Sequence, residues 1–195
     1  MAVNREPILK RCRTLGLDPV VLGVNKKSNR NIRENANKKP TEYAIQLREK
    51  QKVKFVYGLL EKPFYKLYEE ATKKNGVTGE LLLQYLERRL DNVIYRLGFV
   101  KTRRQARQIV SHGHITVNGK RVNIASYRVK AGDVVAVSDK SKDVALIKEA
   151  CGQASAPSWL ELNVEKLSGT VLQNPGRETV DFEIKEQLII EFYSR

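Results

Sequence analysis

From residue 41 to residue 97 the apolar side chains of this chain fall at helical spacing, and beyond residue 125 they gather into short β-branched runs. Thr41 is placed to cap a helix through EYAIQLREKQKVKFVYG, with Gly58 as its stop. Pro63 opens a second helix, FYKLYEEATKKNG, in which Phe64, Leu67, Tyr68 and Ala71 form one stripe. The next pattern is the most regular. Leu82, Leu86, Leu90, Ile94 and Leu97 recur every three or four residues up to Gly98, which predicts one continuous helix with Arg88, Arg89 and Arg96 on its other faces.

Residues 101–122, KTRRQARQIVSHGHITVNGKRV, change the pattern. Thr102 followed by Gln105 fits a capping box and starts a short helix. On its period Ala106, Ile109 and Val110 share one side, which leaves Arg103, Arg104 and Arg107 facing solvent. His112-Gly113 reads as the helix end, with Gly113 left-handed. Asn118-Gly119 between HITV and KRVNI is a hairpin signal. The element is helix, tight turn, hairpin.

YRVKAGDVVAV then places a Gly-Asp turn, closed by Asp133, before a β-branched run. Residues 139–150 fit either a further helix or an irregular link, and Leu188–Tyr193 is expected as a strand or extended segment docked on a core. Residues 1–40 show little periodicity and are rich in Asn, Lys and Arg. They are expected as an arm, either loose or ordered by a partner.

Charge enlarges this picture. The chain's 195 residues carry 36 Lys and Arg against 22 Asp and Glu, a formal net charge of +14. Such an excess points to polyanionic partners, nucleic acid before anionic membrane. It is uneven: residues 151–195 hold 4 basic and 7 acidic side chains, so the tail has a different task. Between Asn92 and Gly132 stand nine Lys or Arg and no acid. Arginine's planar fork grips phosphate through two donors, so the helix-turn-hairpin reads as a preformed phosphate platform rather than a solvated face. Repulsion among its arginines is expected to cost the free protein stability.

Other chemistry finds little footing. The N-terminus, MAVNREPILK, offers no signal-peptide run, and no window approaches eighteen apolar residues, so the expectation is a cytoplasmic protein with no membrane partner. Cys12 and Cys151 stand alone, against a disulfide framework or a zinc site. His112 and His114 have no Cys, Asp or Glu nearby, so they read as structural residues or RNA contacts. Asp91 reads as an ion-pair partner of Arg88 and Arg89. Tyr43, Tyr57, Tyr65, Tyr68, Tyr85 and Tyr95 are expected core or half-buried, with one or two able to stack on bases. No phosphate-binding loop, dinucleotide fingerprint or HExxH occurs, which leaves no cofactor, metal or reaction to assign. The short helix lacks the Asn and Gln array that reads a DNA major groove, and a folded basic platform with a long arm suits compact RNA better.

The segment LERRLDNVIYRLGFVKTRRQARQIVSHGHITVNGKRVNIASYRVKAGDVVAV resembles the small RNA-binding domain named after the fourth protein of the small ribosomal subunit. EYAIQLREKQKVKFVYGLLEKPFYKLY and the closing LIIEFYSR are similar to the helical region and C-terminus of the bacterial-type uS4 ribosomal protein family, so the resemblance spans roughly residues 41–195. It implies direct binding to small-subunit rRNA early in assembly, at a helix junction in the 5′ domain. It further implies a place near the messenger (mRNA) entry side, neighbouring small-subunit ribosomal proteins including the fifth, and an influence on decoding accuracy. Arg103, Arg104, Arg107 and the His112-Gly113-His114 turn match the family's RNA-facing positions. Many members carry a cysteine cluster in the N-terminal arm that binds zinc or iron–sulfur. Here Cys12 is alone in that arm, so the resemblance is to a variant without the cluster, and no metal is carried over.

These readings combine into an α+β chain: a basic N-terminal arm at 1–40, a helical domain at 41–90 completed by 151–195, and an inserted small RNA-binding domain at 91–150, a helix-turn-hairpin on a short mixed sheet. The expected RNA-binding set is Arg88, Arg89, Arg96, Lys101, Arg103, Arg104, Arg107, His112, His114, Lys120, Arg121 and Arg128. The expected function is structural: to bind small-subunit rRNA and nucleate 5′-domain assembly. Two rivals are an assembly or stress-recycling factor, which would visit subunits transiently, and an RNA-modifying enzyme borrowing the module. The 58 residues after Val137 leave little room for a catalytic domain.

Overall fold

Local signals set most of the elements. The computed structural model describes residues 6–26, 30, 40–150 and 156–194, and within Ala145–Ala150 the side chains of residues 145, 146 and 148 are left aside. These residues form two compact units, one from Met1–Leu82 with Asp181–Arg195 and the other from Leu83–Val180. The expected arm at 1–40 falls partly outside the described residues.

The first unit is helical. Within the expected arm, α1 (Ile8–Leu15) buries Cys12 and Leu15 and ends at Gly16, with Leu17 buried just beyond. It packs on α2 (Glu42–Val56), whose Thr41 cap accepts from Ala44 N. α1 lies in a segment expected as an arm, either loose or ordered by a partner. α3 (Glu61–Thr72) buries the expected stripe of Phe64, Leu67, Tyr68 and Ala71. The unit closes with α8 (Glu186–Tyr193), where an extended segment was expected. Ile189, Phe192 and Tyr193 stand at positions i, i+3 and i+4, so only a helix turns all three to one side. That side packs on α2.

A carboxylate ties this unit's ends together. Glu61 accepts hydrogen bonds from Lys50 Nζ and Lys54 Nζ, both 2.8 Å, and from Tyr193 Oη at 2.7 Å. Lys50 Nζ also lies 4.1 Å above the centroid of the Phe192 ring. Partial burial pushes the Glu61 carboxyl up, but the bonds from Lys50, Lys54 and Tyr193 outweigh it and bring the pKa down to about 2.

The predicted long helix is two. α4 (Thr78–Glu87) and α5 (Leu90–Arg96) are separated at Arg88-Arg89, where Arg89 is extended at φ −65°, ψ 137°. Backbone pairing with a later segment wins over the helical period: Leu90 N donates to Tyr127 O, Asp91 N to Ala125 O and Val129 N to Arg88 O, at 2.8–3.2 Å. Because the apolar stripe continues across the break, periodicity alone could not reveal it.

The second unit stacks α5 and α6 (Arg103–Ser111) with a five-stranded sheet. Its strands, β1 (Ile115–Val117), β2 (Lys120–Arg121), β3 (Val134–Val137), β4 (Leu160–Asn163) and β5 (Ser168–Val171), lie in the order β2-β1-β3-β5-β4. Every pairing is antiparallel, where a mixed sheet was expected. β4 and β5 come from the segment assigned in sequence to the helical domain. Val135 faces Gly169 across β3 and β5, and the Leu97 side chain fills the space a Cβ of Gly169 would need. Residues 139–150 combine a 3₁₀ turn, Asp139–Ser141, with a short helix α7 (Ala145–Ala150), and Ile147 is buried. Leu90, Ile94, Leu97, Ile109, Ile115 and Trp159 form one closed core.

Two outcomes follow. Ile94 is fully buried, so Ile94→Ala should cost about 2–5 kcal/mol, read as a lowered urea midpoint. The depressed Glu61 pKa supplies stability that is full above its unfolded value near 4.5 and fades as pH falls toward about 2. Denaturation midpoints between pH 6 and 2 should therefore fall further for the unaltered chain than for Glu61→Gln, and equal falls would contradict the clasp.

Candidate nucleic-acid interface

The helix-turn-hairpin is built from reciprocal local bonds. Thr102 Oγ1 accepts from Gln105 N at 3.2 Å while Gln105 Oε1 accepts from Thr102 N at 3.0 Å, closing the expected capping box. At the other end of α6, His114 N reaches Ile109 O and Gly113 N reaches Val110 O, a paired helix stop that requires Gly113 at φ 74°. Arg121 lies where a Gly113 Cβ would be, and its Nη2 donates to His112 O at 3.0 Å. Asn118 and Gly119 take φ 50° and 76°, the conformation of a tight I′ hairpin. Asn118 also accepts from Val134 N and donates to Asp133, which fastens the hairpin tip to β3. Asp133 closes its own turn as expected, accepting from Lys130 N at 2.7 Å.

Arginines fall into two groups. Arg103 and Arg107 were expected in solvent, yet Arg103 is buried at 7 % exposure and Arg107 is half-buried. Asp91, itself 3 % exposed, accepts from Arg89 through two bonds of 3.0 and 2.8 Å and from Arg107 through Nη2 at 2.7 Å. Glu87, fully buried, receives Arg96 through bonds of 3.0 and 2.8 Å. Asn92 links the systems by donating to Glu87 Oε2 at 2.8 Å and accepting from Arg103 Nε at 2.8 Å. Arg103 also stacks 4.2 Å above the Tyr95 ring. Asp91 thus pairs with Arg89 as expected, and with Arg107 instead of Arg88.

This network corrects the electrostatic expectation. No acid lies between residues 92 and 132, but two carboxylates just before that stretch pair with three arginines from within, Glu87 with Arg96 and Asp91 with both Arg89 and Arg107. Glu87 and Asn92 were missed, and Asp91 was read only as a partner of Arg88 and Arg89. Their signal was present, two carboxylates four residues apart at the head of an arginine-rich stretch, but the helix break that turns them toward α6 was not legible.

The remaining cations look outward. Lys101, Arg104, Lys120, Arg121 and His112 are exposed, while Arg88, Arg128 and His114 are half-buried. His114 Nδ1 lies 2.8 Å from Ser141 Oγ. Of the tyrosines, Tyr57, Tyr68 and Tyr85 are buried and Tyr95 is half-buried, whereas Tyr43 and Tyr65 are about half exposed, at 51 % and 48 %. Among the described residues no group of three or more His, Cys, Asp or Glu is placed to hold a metal ion. No described helix is long and apolar enough to cross a membrane.

Residues 4–87 match the family described as the ribosomal protein S4/S9 N-terminal domain, and residues 88–135 match the S4 domain. The chain is similar to small ribosomal subunit protein uS4 of Fusobacterium nucleatum subsp. nucleatum, 67 % identical over 195 residues with all of both chains covered. It is 54 % identical over 198 residues to the uS4 protein of Lachnospira eligens, again with both chains fully covered. Against the uS4 protein of Chloroflexus aurantiacus it is 48 % identical over 200 residues, covering 97 % of each.

The inner network makes a measurable claim. Asp91→Ala leaves Arg89 and Arg107 facing each other without their shared carboxylate, and should cost about 3–5 kcal/mol. Arg104→Ala should stay within about 0.5 kcal/mol. Urea denaturation of the two variants checks the contrast.

Proposed function

The chain belongs to the uS4 family of small ribosomal subunit proteins, and from that membership we propose that it is a structural component of the small subunit that binds small-subunit rRNA directly. The observation that carries this reading is the arrangement within residues 88–135. Cations there sit on a helix-turn-hairpin whose backbone is locked by reciprocal caps and whose inner arginines Arg96 and Arg107 are held by buried carboxylates. RNA meets an ordered surface, so little conformational entropy is lost on binding.

In this reading Lys101, Arg104, His112, Lys120 and Arg121 contact phosphate, joined by Arg88, Arg128 and His114 at its edge. Arg89, Arg96, Arg103 and Arg107 act as positioning residues that hold α5 and α6 in register. The RNA is the 5′ domain of small-subunit rRNA, whose assembly the protein nucleates, and its position bears on decoding accuracy. The helical unit, with the basic arm within residues 1–40, offers surfaces to neighbouring ribosomal proteins, including the fifth, and to mRNA at the entry side. No reaction is involved.

A salt titration of binding to the isolated 5′-domain rRNA tests this reading, with duplex DNA and a scrambled RNA of equal length as controls. Binding to folded rRNA should survive salt that releases both controls. Arg104→Ala should lower the slope of log affinity against log salt by about one unit. Equal binding to all three, lost together, would mean a sticky basic surface and no reading of shape.

A further inference from the structure

Ile124 and Tyr127 stand at the two ends of a turn whose backbone is fixed. Tyr127 N donates to Ile124 O at 3.0 Å, which closes the turn and keeps the two Cα atoms within about 7 Å of each other. Leu90 N donates to Tyr127 O at 2.8 Å and Asp91 N to Ala125 O at 3.2 Å, so the turn is tied to the start of α5. Ala125 and Val129, buried on either side of Tyr127 along the chain, anchor the segment further. Yet Ile124 is 58 % and Tyr127 37 % exposed.

The Tyr127 ring differs from those of the exposed tyrosines in the helical unit. Tyr43 leans on Phe192, with ring centroids 5.6 Å apart, and Tyr65 on Tyr193 at 5.3 Å. Among the described residues Tyr127 meets no other ring, and its hydroxyl meets no hydrogen-bond partner. A lone exposed side chain is ordinary. A rigidly held aromatic with an isoleucine at the other end of its turn is a flat apolar surface kept in water. The surroundings decide what it can receive. Residues 120–130 carry Lys120, Arg121, Arg128 and Lys130 and no acid. Asp133, the next acid along the chain, is engaged by Asn118 and by Lys130 N. An apolar centre with a basic rim suits a nucleotide, whose base has a neutral face and whose phosphates carry the charge.

We propose that Tyr127, supported by Ile124, stacks one unpaired base of the small-subunit rRNA. The platform rests on the rRNA-binding reading and adds to it a contact of another kind: the cations neutralise phosphate, while Tyr127 takes the face of a base. Stacking joins two flat faces through dispersion and desolvation and releases no counterion. Its share of the affinity is therefore insensitive to salt. Every base has such a face, so the platform selects a splayed, single-stranded position and not a particular letter.

Binding of the full chain to the isolated 5′-domain rRNA, measured across salt, tests the platform. Tyr127→Ala should lower affinity about tenfold at every salt concentration and leave the slope of log affinity against log salt unchanged. Tyr127→Phe should keep the affinity, and Tyr127→Leu, apolar but not flat, should lose most of it. Because backbone bonds close the turn, the urea midpoints of these variants should match that of the unaltered chain. Tyr127→Trp gives a readout that loss of fold would not mimic: its emission should be quenched when the rRNA binds, against the steady signal of the buried Trp159. Full affinity in Tyr127→Ala, or an unquenched Tyr127→Trp, would overturn the platform, and with Arg104→Ala still lowering the slope the rRNA reading would stand. Tyr127→Phe as weak as Tyr127→Ala would mean a hydroxyl hydrogen bond, and Tyr127→Leu as tight as the unaltered chain a plain apolar contact; either overturns stacking. Equal binding to folded rRNA and to the control nucleic acids, with no slope change in Arg104→Ala, would overturn both readings.

Discussion

Glu87 and Asp91 are buried carboxylates, and a carboxylate removed from water must be matched by cations and hydrogen bonds or it destabilises the fold. Here the match is supplied by Arg89, Arg96 and Arg107, with Asn92 carrying the link on to Arg103. The rest of the second unit depends on this arrangement. It fixes α6 against α5, and α6 in turn sets where the glycine stop and the hairpin emerge. Cations that look outward therefore stand on a backbone whose position is decided by cations that look inward.

What could be read in the sequence follows the range of the forces involved. Thr102 with Gln105, Gly113, and Asn118-Gly119 each act within a few residues, so the helix-turn-hairpin was legible almost in full. Arg103 and Arg107 were placed wrongly because their facing was judged from the period of α6 alone. Their partners Asn92 and Asp91 lie 11 and 16 residues upstream, on another helix. The α4–α5 break was hidden for a related reason: the apolar period runs through it, while the bonds that cause it come from residues 125–129. β5 is Ser168–Val171, with one large apolar residue, and it pairs with β3 far earlier in the chain, while β4 joins the sheet only through β5, so their membership could not be seen locally.

The helical unit repeats the same physical device with different residues. Glu61 gathers Lys50, Lys54 and the Tyr193 hydroxyl, and its charged form is favoured strongly enough to overcome partial burial. Tyr193 responds in kind: burial and the bond to Glu61 push its own pKa up, so its proton stays on the hydroxyl that donates. The unusual composition of the tail then makes sense. Its aromatic end serves the fold of the first unit, through Phe192 and Tyr193 beside Lys50.

A count of charges thus overstates what this surface presents to a partner. Nine cations stand between residues 92 and 132, but Arg96 and Arg107 are spent on internal carboxylates and Arg103 on Asn92 and Tyr95. The field reaching outward comes from Lys101, Arg104, Lys120, Arg121, Lys130 and the half-exposed residues beside them. A smaller, fixed set of cations binds phosphate less strongly than a loose tail with the full charge. It discriminates better, because its spacing matches one arrangement of phosphates and misses others. In a folded RNA that arrangement is the shape itself, and under the proposed reading the inward arginines set the spacing that meets it without touching the RNA.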